Sequence, residues 1–255
     1  MIARTTAVIE AGGVLGALAC APPLTLRQVR SEDGAVCELR LVGTAAGPLA
    51  GDDLSLSLRL APGARATLGA AGASLAQGRG GSRAAALSIR AELAAGAWLV
   101  ADPGALVVCA GSRVDVRLEL VLAAGAAVEW HELVVLGRTG EPPGLATLRW
   151  DVTRLGHPVL RQFTDLTGPA GLLTAGRRVL ACALICDPEL AARTVVASPV
   201  AAAQRVDEHT LLVTVLAEDT AGATRQLGEL CARARGLTAG PAGAGAGTGT
   251  GAARA

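Results

Sequence analysis

The sequence predicts a mainly β protein, a long coiled or solenoid-like arrangement of antiparallel strands and hairpins with about two helices, one near the C-terminus. The first observation is that apolar and polar residues alternate in the segments 54–60, 87–93 and 114–122. This alternation is the side-chain period of a half-buried strand. The second observation is that a tight turn containing Gly-Ala follows each segment. The third is that a clear helical spacing occurs only near the C-terminus.

The turn glycines set the repeat of this arrangement. Gly63, Gly96 and Gly125 lie 33 and 29 residues apart, so the units are similar without being an identical repeat. Stacked hairpins or a distorted β-solenoid fit this spacing better than a strict propeller. The glycine-rich segment 78–83 between the first two units is expected to be a loop.

The second half of the chain begins with a loop over 138–146, which contains consecutive prolines that cannot donate to a strand ladder. Residues 148–166 are expected to form a hairpin that turns at 155–158, and further strands are expected around 178–185 and over 209–219. Asp187, Pro188 and Glu189 fit the start of a short helix.

The C-terminal helix has the clearest pattern in the chain. Asp219 or Thr220 would cap its start, and Gly236 would end it. Its apolar positions have helical spacing: Ala223, Leu227, Leu230, Cys231 and Ala234. We expect one domain over residues 1–238, followed by a disordered tail over 239–255, because that Gly/Ala-rich segment cannot bury enough apolar surface to fold.

Composition excludes several functional classes. Of 255 residues 54 are alanine and only four are Phe or Trp, so the core is expected to be built from Leu, Val and thin layers. The net charge is +1 without a dense basic cluster, and base-stacking aromatics are scarce, which excludes nucleic acid as an expected partner. No segment approaches the roughly 20 apolar residues of a membrane helix. Residues 12–21 only faintly resemble an export signal, so we expect a cytoplasmic protein.

The six cysteines are expected to be reduced and mostly buried, because a chain of this length does not need disulfides. Cys182 and Cys186 would share one face of a strand, yet no further Cys or His pair completes a tetrahedral metal site. We therefore assign no metal ligands, and the role of this pair stays open.

A carboxylate interrupts one apolar strand face, and this is the most informative feature of the sequence. In the segment 125–138, Glu132 shares its face with Val128, Trp130, Val134 and Leu136. Burying an unpartnered carboxylate costs several kcal/mol, on the order of the penalty measured for isolated charges. Either Glu132 has a structural partner, such as Arg138, or its face lines a wet interior path.

The remaining polar residues do not indicate an enzyme. His131, His157 and His209 stand in different elements, and no nucleophile, zinc or phosphate-loop motif is present. Asp115 and Glu119 alternate with the apolar row of their strand, which is typical of a solvated outer face. A non-catalytic scaffold is the favoured function, and a structural or interaction β-solenoid protein unrelated to metal delivery is the alternative.

The order of several segments resembles the urease accessory protein family UreD, also called UreH. The specific elements are G-P-L-x-G-D-D over 47–53 and E-x-x-x-x-G-R over 132–138, with supporting similarity over 21–29, 41–68, 96–106 and 209–219 plus the final helix. The positions that match the family pattern are Gly47, Gly51, Asp52, Glu132, Gly137 and Arg138.

The resemblance implies a urease maturation factor, a chaperone-like scaffold in protein complex assembly. Its partners would be the urease apoprotein and the UreF-like and UreG-like accessory proteins. No cofactor would be tightly bound, but nickel would pass transiently on its way to urease. Under that reading Glu132, and more weakly Asp115 or Glu119, would offer oxygen contacts to the passing ion.

Overall fold

A computed structural model describes residues 1–78, 83–168, 174–191 and 194–235. The predicted tail over 239–255, the centre of the 78–83 loop and the Gly236 stop lie outside these residues. The described elements are β1 (Ile2–Glu10), β2 (Val14–Ala19), β3 (Leu24–Val29), β4 (Cys37–Gly43), β5 (Asp53–Leu60), β6 (Arg65–Ala70), β7 (Ser74–Ala76), β8 (Ala85–Leu93), β9 (Trp98–Ala101), β10 (Ala105–Val108), β11 (Arg113–Leu122), β12 (Ala127–Leu136), β13 (Leu145–Arg154), β14 (His157–Asp165), β15 (Val179–Cys186), β16 (Val195–Ser198), β17 (Ala201–Asp207), β18 (Thr210–Ala217) and helix α1 (Thr220–Ala234).

Two facing sheets form a β-solenoid, which confirms the predicted fold class. The first sheet has the order β14-β13-β11-β8-β5-β1-β2. The second has β16-β17-β18-β15-β12-β9-β6-β4-β3, with β10 paired to β12 and to β7. From β4 to β13 the chain alternates between the sheets, so each coil contributes to both.

The strand direction within the coils differs from the prediction. Neighbours β1, β5, β8, β11 and β13 pair in parallel, as do β4, β6, β9 and β12. Neighbours in one sheet are a full coil apart and therefore run the same way, whereas a two-residue alternation carries no information on direction. Antiparallel pairing is confined to the two ends of the solenoid, for example β1 with β2 and β13 with β14.

The coil turns stack on one another. Gly63 and Gly96 have φ values of +67° and +66°, which L side chains rarely adopt. The Gly63 amide donates to the Ala95 carbonyl at 2.9 Å, and the Gly96 amide donates to the Ala124 carbonyl at 2.9 Å. The spacings of 33 and 29 residues in the sequence are therefore the lengths of successive coils.

The core between the sheets is made of the inward residues of each strand. In β11 these are Val114, Val116, Leu118, Leu120 and Leu122, all buried. Alternate residues of β11 point outward, as the sequence pattern predicts. Trp130, from β12, is among the largest fully buried side chains. Leu and Val thus fill most of a core that has few aromatic residues.

Strand β15 is buried on both faces. Cys182 and Cys186 point into the core between the sheets, whereas Ala181 and Ala183 pack under α1. All eight β15 residues are therefore buried, and the strand lacks the alternation of one-sided strands.

The C-terminal helix matches its prediction. The Oδ1 atom of Asp219 caps α1 by accepting from the Gly222 amide at 2.7 Å. Its buried residues are the five that the sequence indicated: Ala223, Leu227, Leu230, Cys231 and Ala234.

Two local predictions have different outcomes. The hairpin of β13 and β14 turns at Leu155 and Gly156, as expected. The short helix predicted from Asp187 is wrong, because residues 188–189 form a turn. The Asp187 side chain accepts from the Glu189 amide at 2.9 Å, a turn bond that aspartate also favours outside helices.

Candidate functional site around Glu132

Glu132 lies at an interruption of the second sheet. On one side β12 pairs with β9 only up to Trp130 and with β10 only from Leu133. Residues 102–104 bridge the gap between β9 and β10, so His131 and Glu132 have no strand partner there. On the other side Glu132 stands opposite Cys182 of β15. The carboxylate therefore enters the core where the sheet is open on one side.

The partner of Glu132 is an indole and not the Arg138 suggested by the sequence. The Nε1 atom of Trp150, in β13 of the facing sheet, donates a hydrogen bond to the Glu132 Oε2 atom. Burial raises the pKa of Glu132 to about 7, and the indole bond opposes this only in part. Burial also raises the pKa of the neighbouring Cys182 thiol to about 12, with a further contribution from the Glu132 charge.

Glu132 lines a small cavity between the sheets. The cavity has a volume of about 40 Å³, enough for roughly two or three water molecules. Its other lining is almost entirely apolar, so Glu132 supplies the charge. Leu24 and Ser74 also line this cavity and, at the same time, a surface pocket of about 160 Å³ that contains Gly47.

The matched residues near Gly47 form a tight turn beside that pocket. The buried Asp52 carboxylate accepts from the Leu49 amide at 2.8 Å and from the amino group of Met1 at 2.7 Å. Gly51 has a φ value of +80°. At Gly47 an added Cβ atom would lie 3.2 Å from Pro23. Gly47 lines the pocket, and Asp52 fixes the turn that follows it through its bond to the Leu49 amide.

Gly137 and Arg138 belong to a loop on the outer side of the second sheet. Arg138 pairs with Glu141, whose pKa falls to about 2 because of that guanidinium. The Arg178 guanidinium donates to three backbone carbonyls, those of Leu136, Arg138 and Glu141, and so fastens the loop. Gly137 and Arg138 are thus close to Glu132 in the sequence, but neither of them lines the cavity.

Asp115 and Glu119 do not join Glu132. Both point outward from β11 in the opposite sheet. The Thr147 hydroxyl donates to Asp115 at 2.7 Å, and Glu119 pairs with Arg90. The core layer separates them from the cavity, so they form the solvated outer face that their alternation predicted. They do not lie with Glu132 along one path.

A second carboxylate of β12 lies on the outer face of its sheet. Glu129 accepts from His131 at 2.8 Å and pairs with Arg235 just after α1. Burial acts to raise the pKa of Glu129, but the bonds from His131 and Arg235 outweigh it and lower the pKa to about 2. This carboxylate is therefore ionised at neutral pH, whereas Glu132, with a pKa of about 7, is only partly ionised there.

Within the described ranges no group of three or more His, Cys, Asp or Glu side chains is arranged to hold a metal ion. All six cysteines are free thiols, and Cys20 is the exposed one. Sequence reasoning missed Trp150 and Ser74, which complete the surroundings of Glu132. Trp150 lies at one of the alternating apolar positions of β13, which face the core. The sequence alone did not indicate which strand of the facing sheet would lie opposite Glu132.

Comparison with known proteins identifies the family. The profile of the UreD urease accessory protein family matches residues 5–245. The chain belongs to the UreD family. Urease accessory protein UreD 1 of Saccharopolyspora erythraea is 38% identical over 191 residues, which cover 70% of this chain and 72% of that protein.

Two Streptomyces relatives extend the match. UreD of Streptomyces avermitilis is 34% identical over 81% of this chain and 85% of its own length. UreD 3 of Streptomyces griseus is 32% identical over 86% of this chain and 92% of its own. The names of these relatives describe accessory proteins and not enzymes. In the described part of this UreD-family chain, no helix is both long enough and apolar enough to cross a bilayer.

Proposed function

We propose that this UreD-family chain is a urease maturation factor that acts as a non-catalytic scaffold in the cytoplasm. It would bind the urease apoprotein together with UreF-like and UreG-like accessory proteins and assist nickel delivery to the urease active site. Membership of a family of urease accessory proteins supports this role. Nickel is the cargo in this proposal, not a resident cofactor.

One observation carries the nickel part of the proposal: a single carboxylate faces a cavity whose other lining is almost entirely apolar. Nickel binds tightly to convergent His and Cys ligands, so a route that must release the ion is better served by isolated oxygen donors. Glu132 is such a donor. Its pKa of about 7 lets the carboxyl exchange a proton for a cation near neutral pH.

The cavity also adjoins a pocket at the protein surface. Leu24 and Ser74 stand between the Glu132 cavity and the pocket at Gly47. We propose that the ion enters or leaves through this pocket, with the Ser74 hydroxyl as a second oxygen contact. The matched turn of Gly47, Gly51 and Asp52 would then shape the mouth of the route.

The test is co-expression of urease with variants of this chain. Glu132→Gln and Glu132→Leu should lower the nickel content of purified urease and its activation, with the larger loss for the Leu variant. Glu119→Gln on the outer face is the matched control and should have no effect. Undiminished nickel content with stable, complex-forming Glu132 variants would remove Glu132 from the route. Normal urease maturation in cells that lack the chain would overturn the whole proposal.

The alternative, a structural β-solenoid protein unrelated to metal delivery, makes the opposite forecast in the same experiment. Neither the Glu132 variants nor deletion of the chain would then change the nickel content of urease. The family match favours the first function.

A further inference from the structure

The outer face of the second sheet has an open groove beside α1, which we call the α1 groove. Its volume is about 1100 Å³. The floor is made of Leu75, Val107, Leu133 and Val135, from β7, β10 and β12, and the wall is made of Ala221 and Thr224 of α1. Leu75 is 39% exposed although it is a large apolar residue. The floor is thus an apolar sheet face without cover.

The groove lies where a second helix could pack beside α1. Helix α1 lies over β15, β17 and β18 and leaves β12, β10 and β7 uncovered. Two strand spacings are about 10 Å, close to the distance between packed helices. A second helix beside α1 would therefore lie over β12 and β10.

The floor also continues the apolar cluster beneath α1. Leu133 and Val135 pack against that cluster with one side and line the groove with the other. A helix in the groove would extend this layer instead of starting a new one. Ala221 and Thr224 are short, so they let a second helix approach α1 closely.

The size of the groove fits a short helical segment. A helix about 10 Å wide that rises 1.5 Å per residue occupies roughly 120 Å³ per residue. The groove volume then corresponds to about nine residues, or two to three turns.

The charge at the rim indicates the chemistry of the occupant. Arg225 is exposed and makes no ion pair with any residue in the described part of the chain. Arg178 also lines the groove, whereas Arg138 is paired with Glu141, Glu218 is paired with Arg177, and Asp219 caps α1. The three arginines and two carboxylates that line the groove give it a net charge of +1.

We infer that the α1 groove binds an amphipathic helix of a partner protein, with an apolar stripe toward the sheet and acidic residues toward Arg225. This inference rests on the proposed function only in that the partner is expected among the proteins of urease assembly.

Photo-cross-linking tests the inference with the full chain. A photoreactive amino acid replaces Leu75 or Thr224, in cells that co-produce urease and its accessory proteins, and mass spectrometry identifies the captured segment. Both positions should capture the same helical segment, apolar at every third or fourth residue and net acidic. Leu145, 38% exposed on the opposite sheet, is the control position and should not capture it.

Two substitutions sharpen the test. With the cross-linker at Thr224, Leu75→Arg and Arg225→Glu should each lower the yield of that cross-link about tenfold, as expected for loss of a central contact. Leu145→Arg and Arg233→Glu are the matched controls and should leave the yield unchanged.

The contrary outcomes are distinct. Absence of a cross-link, capture of an extended segment, capture of a second copy, or capture of this chain's own residues 236–255 would each overturn the inference. Such results with normal nickel delivery would leave the proposed function intact. Capture of the expected helix in cells whose urease matures without this chain would overturn the proposed function alone.

Discussion

The indole of Trp150 in one sheet donates its hydrogen bond to the Glu132 carboxylate of the other. This contact crosses the core between the sheets. It gives Glu132 one fixed partner without neutralising its charge, so the carboxylate is oriented but not locked in an ion pair. The pKa of about 7 follows from this combination of burial and a single neutral donor.

The first prediction concerns stability and pH. Because the folded pKa of Glu132 exceeds its unfolded value, the stabilising contribution is complete below about pH 4.5 and is lost as pH rises through about 7. Between pH 5 and pH 8 the wild-type protein should lose about 1–3 kcal/mol more unfolding free energy than Glu132→Gln. Urea unfolding measures this difference. Parallel pH profiles of the two proteins would contradict the assigned pKa, and Glu119→Gln serves as control.

The second prediction isolates the indole bond. Trp150→Phe keeps most of the ring and removes the donor, which should cost about 1–3 kcal/mol beyond the loss of packing. It should also raise the pKa of Glu132 further. Trp130→Phe, at another buried tryptophan of the core, reports the packing loss alone. Equal destabilisation by the two substitutions, measured in urea, would mean that the bond contributes nothing.

The third prediction concerns Glu129. Its pKa of about 2 means that its stabilising contribution is present above about pH 4.5 and is lost as pH falls through about 2. Glu129→Gln should therefore cost about 1–2 kcal/mol at pH 7, and this cost should shrink at pH 3. A cost that does not change with pH would show that packing, not charge, holds the contact with Arg235. Thermal unfolding at the two pH values decides.

The fourth prediction compares two glycines of one loop. Gly137 and Gly140 both have a φ value of +80°, but only at Gly137 would a Cβ atom meet a backbone atom, the Pro142 carbonyl oxygen at 2.6 Å. Gly140→Ala should cost about 1 kcal/mol from backbone strain. Gly137→Ala should cost about 3 kcal/mol or more, because the loop must also move. Similar unfolding midpoints for the two variants would be evidence against this packing.

Much of the fold follows from local patterns. The alternation in β5, β8 and β11 and the helical spacing of α1 each depend on neighbours along the chain, so the sequence predicts them directly. The direction of strand pairing depends on which strands of different coils meet, and no local pattern carries that information. The false helix at Asp187 shows the same limit, since its capping signals also suit a turn.

The candidate site was predictable in part. Glu132 stands out because a charge interrupts an apolar row, which is a local signal. Its partner was not predictable, because Trp150 reaches it across the core from a strand of the other sheet. Asp115 and Glu119 are carboxylates of the kind that could contact a cation, but their alternation with apolar residues predicts an outer face. The structure places both on that outer face.

The stacked turns at Gly63, Gly96 and Gly125 have a consequence for how the molecule can vary in length. Each coil presents to its neighbour the same row of amides and carbonyls that it receives from the coil before. Removing or duplicating about thirty residues would therefore leave matching edges on both sides of the join. The solenoid can therefore gain or lose whole coils, which changes its length while its cross-section stays the same.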